Sequence, residues 1–162
     1  MAAAAPDYPN VHFGLGYLYW KKRQYDLAEP EFKREIETAG SVARAKTHLG
    51  DIYLRRKQYE EAKAVLQQAV RLDPSIRIAH LDLGIIYTEQ REYDRAVEAL
   101  TEAVRLGPEQ ADAHFRLAAT YRAMGRREDK DAELREVRRL HEKTREDLLH
   151  KISGPPPAPS ID

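Results

Sequence analysis

The chain has 162 residues, a length that suits one domain with a sizeable core, and 42% of them are hydrophobic and 33% charged. Its 27 Lys and Arg residues balance 27 Asp and Glu residues, and it contains no cysteine. This composition excludes a disulfide scaffold, a zinc ribbon and a cysteine nucleophile, argues against a dedicated nucleic-acid binder, and offers no run of about 18 apolar residues for membrane insertion.

A period of 34 residues runs through most of the chain. A Leu-Gly pair recurs, followed by a tyrosine three residues after the glycine, an alanine twelve residues after it, and a large apolar residue four positions later. The repeated glycines and tyrosines are Gly16, Gly50, Gly84, Tyr19, Tyr53 and Tyr87. A fourth unit keeps the register with Leu117, Ala118, Tyr121 and Leu134. Apolar residues at helical spacing predict two amphipathic helices in each unit, which cross closely at the glycine.

These motifs resemble the tetratricopeptide repeat (TPR) family, whose pattern is W-x2-L-G-x2-Y, then A-x3-F, then P. The resemblance covers about residues 9–144, and the tryptophan slot departs throughout, holding His12, Lys46, His80 and His114. It implies an all-α fold, a right-handed solenoid of antiparallel helix pairs. The concave groove of such a solenoid is lined by the first helix of each pair and binds a peptide or a partner protein.

The repeat register predicts six segments in chain order. Residues 1–8 are a leader that ends in the proline slot of a missing upstream repeat, and repeats one to three span 9–42, 43–76 and 77–110. Repeat four spans 111–152 with an extended capping helix, and 153–162 is a disordered, proline-rich tail. The chain is either a fragment of a longer repeat protein or begins naturally with a degenerate lead-in, so the sequence assigns no cellular compartment.

Two helices carry local predictions. Asp26 is predicted to cap the second helix of repeat one, which places Pro30 in its first turn without a large kink. The last helix has no proline stop and is predicted from about Glu128 to Ile152. Its apolar side is predicted to contain Leu134, Val137, Leu140, Leu148, Leu149 and Ile152.

The resemblance also implies which residues line the groove. The candidates are Phe13, Tyr17, Trp20, Arg44, His48, Asp51, Arg55, Leu81, Asp82, Ile85, Phe115, Arg116 and Arg122. The aromatic stripe on the first helix is either a ligand hot spot or an inter-repeat contact. The arginines either pair with an acidic or phosphorylated segment or are solvated surface residues.

Several functions are not predicted. The lysine and asparagine clamp with which chaperone-binding members of the family hold a terminal carboxylate is absent, so chaperone tails are not expected as ligands. No catalytic motif occurs, so no enzyme activity and no cofactor are predicted. His80 and His114 occupy equivalent slots and are expected to pack there rather than bind a metal.

The sequence therefore predicts a protein–protein interaction scaffold that binds a protein or peptide in its groove, without nucleic acid or membrane insertion. Two alternatives stay open: a regulatory or targeting module cut from a larger enzyme, and an engineered repeat protein without a natural ligand. The truncated face of the first repeat also offers a surface for self-association.

Overall fold

The computed structural model describes residues 10–38 and 41–153. The predicted leader and the proline-rich tail beyond Ser153 lie outside the described residues. Within those ranges the chain forms eight α-helices. They are α1 (Val11–Lys21), α2 (Tyr25–Glu37), α3 (Val42–Arg55), α4 (Tyr59–Leu72), α5 (Arg77–Glu89), α6 (Tyr93–Leu106), α7 (Ala111–Ala123) and α8 (Arg127–Ser153). None of the helices in this part of the chain combines the length and the apolar character needed to cross a bilayer.

The helices pack as four antiparallel pairs, α1–α2, α3–α4, α5–α6 and α7–α8, and each pair packs on the next. The first helices of successive pairs also contact one another, whereas the second helices, over the described ranges, do not. Helices that touch their counterparts lie on the inner side of a curved array, so α1, α3, α5 and α7 line its concave face. The predicted all-α solenoid of antiparallel helix pairs is confirmed.

A close crossing within each pair explains the recurring glycines. A Cβ added at Gly50 would lie 2.5 Å from Cγ of Leu66, and one added at Gly16 would lie 2.9 Å from the ring of Phe32. Leu66 and Phe32 are fully buried, so neither side chain has room to retreat. The predicted small residue at the crossing is therefore required by packing in these pairs.

The turn inside each pair depends on one residue in the left-handed region. Arg23, Lys57 and Arg91 have φ values of 58°, 60° and 61°, and Gly125 takes the same place in the last pair with φ 75°. The amide of the following residue then donates to the carbonyl five residues back, as Gln24 does to Tyr19 at 2.9 Å. This compact turn holds each pair antiparallel.

The prediction for α2 is wrong in one respect. The helix begins at Tyr25 with Gln24 as its N-cap, so Asp26 lies in the first turn and Pro30 lies inside the helix. The carboxylate of Asp26 instead accepts a hydrogen bond from Arg56 Nη2 of the neighbouring pair at 2.6 Å. α2 continues unbroken to Glu37, since the proline removes only one hydrogen bond.

The prediction for the last helix is confirmed in its length and wrong for half of its apolar side. Val137 and Leu140 are buried against the array, but Leu148 and Ile152 are 56% and 73% exposed. Leu149 is exposed as well. The reason is length: α8 is twice as long as its partner α7, so its final turns project beyond the helices that could cover them.

The glycine contacts generate a matched pair of stability predictions. Gly50→Ala should lower the free energy of unfolding by about 1–3 kcal/mol, because the new methyl group overpacks against Leu66. Gly14→Ala should raise it by about 1 kcal/mol, since a Cβ there meets nothing within 4 Å and alanine favours the helix. Urea denaturation followed by circular dichroism measures both values. Equal effects of the two substitutions would contradict the close crossing.

Candidate binding groove

The predicted groove residues lie on the four first helices, which contact one another in sequence. On α1 they are Phe13, Tyr17 and Trp20, and on α3 they are Arg44, His48, Asp51 and Arg55. On α5 they are Leu81, Asp82 and Ile85, and on α7 they are Phe115, Arg116 and Arg122. Their surroundings differ sharply from one helix to the next, so the groove is described in three parts.

An aromatic cluster occupies the α1 end of the groove. His48 lies at its centre, with ring centroids 5.7 Å from Phe13, 5.4 Å from Tyr17 and 4.8 Å from Trp20. Phe32 stacks on the same imidazole at 5.4 Å. Phe32 comes from α2, where it fills the large apolar position of the repeat pattern. The stripe on α1 is thus largely an intramolecular contact between the first two pairs, and Tyr17 presents 37% of its surface to solvent.

The aromatic surroundings hold His48 in its neutral form. Burial lowers the pKa of His48 to about 4, and the nearby Arg44 opposes the effect of Asp51 by lowering it further. The Nδ1 atom of His48 is buried and has no hydrogen-bond partner among the described residues. The guanidinium of Arg44 stacks over Phe13 at 4.9 Å and covers this end of the cluster.

A polar bridge links α1 to α3 beside the cluster. The indole Nε1 of Trp20 donates to Asp51 Oδ2 at 2.5 Å, and Arg55 Nε donates to the same oxygen at 2.8 Å. Asp51 is buried and both of its donors are in place. This bridge fixes the Trp20 ring and the Arg55 guanidinium, so the two side chains form a preset wall of the groove.

The middle of the groove contains a buried carboxyl group without such a partner. Asp82 is 4% exposed, and its Oδ2 makes no hydrogen bond within the described ranges. Burial raises the pKa of Asp82 well above its usual range, and the charge of Asp51 raises it further, while Arg55, Arg116 and Arg77 act in the opposite direction. Arg55 donates to Asp51 instead, and Arg77 donates from Nη1 and Nη2 to the two carboxylate oxygens of Asp112 at 2.7 and 2.9 Å.

The α7 end of the groove is open and cationic. Phe115 is 55% exposed, and Arg116 and Arg122 are exposed. Neither guanidinium group makes a hydrogen bond or an ion pair with another residue that the structure describes. Leu81 and Ile85 of α5 are half-buried behind them. A pair of hydroxyl groups, Thr88 and Thr120 at 2.8 Å, joins α5 to α7 here, and sequence reasoning did not single it out.

Comparisons with known proteins identify the family and the fold. The family model for the cilia and flagella-associated protein 70 C-terminal domain matches residues 1–150. A structure of MamA superposes with a TM-score of 0.77 at 22% identity, covering 87% of this chain and 82% of that one. A second MamA structure, from AMB-1, gives 0.71 at 24% identity over 88% and 83%.

The structure of YrrB, described as a TPR protein with an unusual peptide-binding site, superposes with a TM-score of 0.69 at 22% identity over 86% of this chain and 72% of that one. No curated protein sequence matches the chain. Structures at these identities show the fold alone. That fold is the right-handed TPR solenoid implied by the sequence.

The buried imidazole predicts a pH-dependent stability. Between pH 6.5 and 4 the unfolded chain binds a proton at residue 48 that the folded chain does not, so stability falls as pH falls through this window. From pH 7 to pH 5, His48 should account for a loss of about 2 kcal/mol in the free energy of unfolding. Urea denaturation of the parent chain and of His48→Phe at both values measures this term. An identical pH dependence in the two proteins would contradict a neutral, buried His48.

Proposed function

The chain belongs to the family of the cilia and flagella-associated protein 70 C-terminal domain, and we propose that it is a scaffold that binds an extended segment of a partner protein along its concave face. The TPR fold supports this proposal, as does the peptide-binding site of YrrB, a protein with the same fold. The family name favours a partner in cilia or flagella. The division into repeats at 9–42, 43–76, 77–110 and 111–152 stays a prediction.

The observation that carries the proposal is the unpartnered carboxyl group of Asp82. Burying a carboxyl group without a hydrogen-bond partner costs stability, because its interactions with water are lost and nothing replaces them. Asp51, on the preceding inner helix α3, avoids this cost because it accepts hydrogen bonds from Trp20 and Arg55. A residue retained at such a cost is a candidate functional site. A partner segment that donates an N–H group to Asp82 Oδ2 would remove the cost.

The chemistry around Asp82 defines the segment further. Arg116 and Arg122 offer two cations with no partner among the described residues, and Phe115 adds an exposed aromatic ring. We infer that the segment carries an acidic or phosphorylated group for the arginines and an apolar side chain for Phe115. This assigns binding and no chemical step to the groove.

The proposal predicts opposite effects of one substitution on binding and stability. Peptides selected from a random displayed library on the parent protein should bind Asp82→Leu at least about tenfold more weakly, since the hydrogen bond to Asp82 is lost and the peptide donor stays buried without a partner. The same substitution should raise the free energy of unfolding by about 1–3 kcal/mol, because a desolvated polar group is removed. Calorimetric titration and urea denaturation measure the two effects.

Asp94→Leu is the matched control, because Asp94 is exposed on the outer helix α6. It should leave the affinity for the selected peptides unchanged. Trp20 is the only tryptophan, so its emission reports independently on ligands near the aromatic cluster. Peptides that bind Asp82→Leu as tightly as the parent protein would contradict the concave-face proposal.

We also propose the face of the first pair as a surface for self-association. Leu18 is 57% exposed, whereas Ile52 and Ile86, which occupy its slot in the next two pairs, are fully buried by the pair before them. Leu27, in the first turn of α2, is 50% exposed. A second copy of the chain that packed on this face would bury both leucines. Apolar surface of this kind on a repeat end favours association.

Sedimentation equilibrium tests this interface. The parent chain should show a concentration-dependent increase in mass, and Leu18→Glu should abolish it because a charge would be buried in the contact. Lys22→Glu, at an exposed position just after α1, is the control for added negative charge. A parent chain that stays monomeric at millimolar concentration would rule the interface out.

A further inference from the structure

A pocket of about 710 Å³ opens on the outer side of the solenoid, between α4, α5 and α6. Its floor is apolar and nearly buried, formed by Leu83, Tyr87 and Ala99. His80 lines one side and Arg71 another. This volume falls in the range of sites that enclose a ligand or a large side chain. The pocket faces away from the concave groove, so it is a separate site.

In the first and last helix pairs, a glutamate of the second helix contacts the histidine that corresponds to His80. In the first pair His12 Nδ1 lies 2.7 Å from Glu31 Oε2, and in the last pair His114 Nδ1 lies 2.7 Å from Glu133 Oε2. In both pairs the glutamate follows the histidine by 19 residues and reaches it from the second helix. A carboxylate is therefore the group that this repeat uses to complete the histidine slot.

The third pair keeps the histidine but has no carboxylate at the position that Glu31 and Glu133 occupy. His80 stands in the same register, but the residue 19 positions later is Ala99. The His80 ring donates from Nε2 to the backbone carbonyl of Pro74 at 2.9 Å, which leaves Nδ1 for another group. In the second pair the slots hold Lys46 and Val65, so that pair has no histidine to complete. The short Ala99 side chain is what opens the pocket.

The pocket has two further walls: one is held in place by hydrogen bonds to Tyr87, and the other contains an arginine whose side chain has no polar partner in the described part of the chain. The hydroxyl of Tyr87 accepts hydrogen bonds from Gln67 Nε2 at 3.1 Å and Arg95 Nη2 at 2.8 Å, and the guanidinium of Arg95 lies over the Tyr87 ring at 4.2 Å. The guanidinium of Arg71, by contrast, makes no hydrogen bond or ion pair with the described residues. The other charged groups that line the pocket are Glu98 and Glu102, and Glu102 is paired with Arg105.

We propose that this pocket binds a glutamate side chain of a partner protein, with its carboxylate between His80 Nδ1 and Arg71. The glutamate takes the place that Glu31 and Glu133 take in the outer pairs, and its carboxylate lies at the ring nitrogen that the hydrogen bond to Pro74 leaves open. An apolar side chain next to the glutamate packs on Leu83 and Tyr87. The site gives the scaffold a second contact, on the face opposite the groove.

The test uses two short peptides and the histidine ring signals of the full chain. Acetyl-Leu-Glu-Leu-amide should shift the His80 ring signals in nitrogen-15 NMR spectra in a saturable way, because the carboxylate binds at Nδ1. The glutamine version should bind at least about tenfold more weakly, because it cannot form the charge-assisted hydrogen bond. The His114 signals should not respond, since Glu133 already fills that slot.

Filling the pocket from within provides the second measurement. Ala99→Glu should give His80 ring signals that resemble those of His114 without any peptide, and it should abolish peptide binding. His80→Gln, at a half-buried outer position that leaves the alanine slot unchanged, should also lose binding and covers the case in which Ala99→Glu fails to fold.

Three results would overturn the proposal: equal binding of the two peptides, unchanged peptide affinity in both variants, or glutarate binding as tightly as the glutamate peptide. The last result would identify a site for a small carboxylate instead of a partner protein.

Discussion

The approach of two helices at a glycine is the contact on which this solenoid depends. At Gly50 a single added methyl group would overlap Leu66, and Gly16 has the same relation to Phe32. Ala118 replaces the glycine in the last pair, where Leu134, in the register of Leu66 and Leu100, is only half-buried. Because this buried contact holds each of the first three pairs together, residues on the surface of a pair can vary without opening it.

The inner face uses that freedom to vary its chemistry. One register position holds Gly14, His48, Asp82 and Arg116 in the four successive first helices. The second of these is a neutral imidazole enclosed by aromatic rings, the third a buried carboxyl group without a donor, and the fourth an exposed cation. Under the proposed function, a groove with a different chemical group at each step would distinguish one extended partner from another, because a mismatched side chain would leave a polar group unpaired.

The outer face shows a related logic. His12–Glu31 and His114–Glu133 lock the terminal pairs with the same hydrogen bond, and the middle pairs depart from it. The departure at Ala99 creates a pocket without disturbing the crossing at Gly84, since the two slots lie on different sides of the helix pair. Under the proposal above, one small residue would turn a slot of this otherwise regular array into a binding site.

The sequence by itself determined the repeat, the helix pairs and the identity of the inner helices, because a 34-residue period in glycine, alanine and tyrosine reflects contacts repeated within every pair. Only the tertiary structure decided which groove residues are satisfied: Asp51 receives donors from two elements and Asp82 from none, and no period records this difference. It also brought Phe32 from α2 to the groove cluster and left Leu148 exposed beyond the end of α7. The physical reason is that a sequence period records the contacts that all repeats have in common. The burial and hydrogen bonding of one side chain depend also on the particular residues that its repeat contacts in the neighbouring repeat.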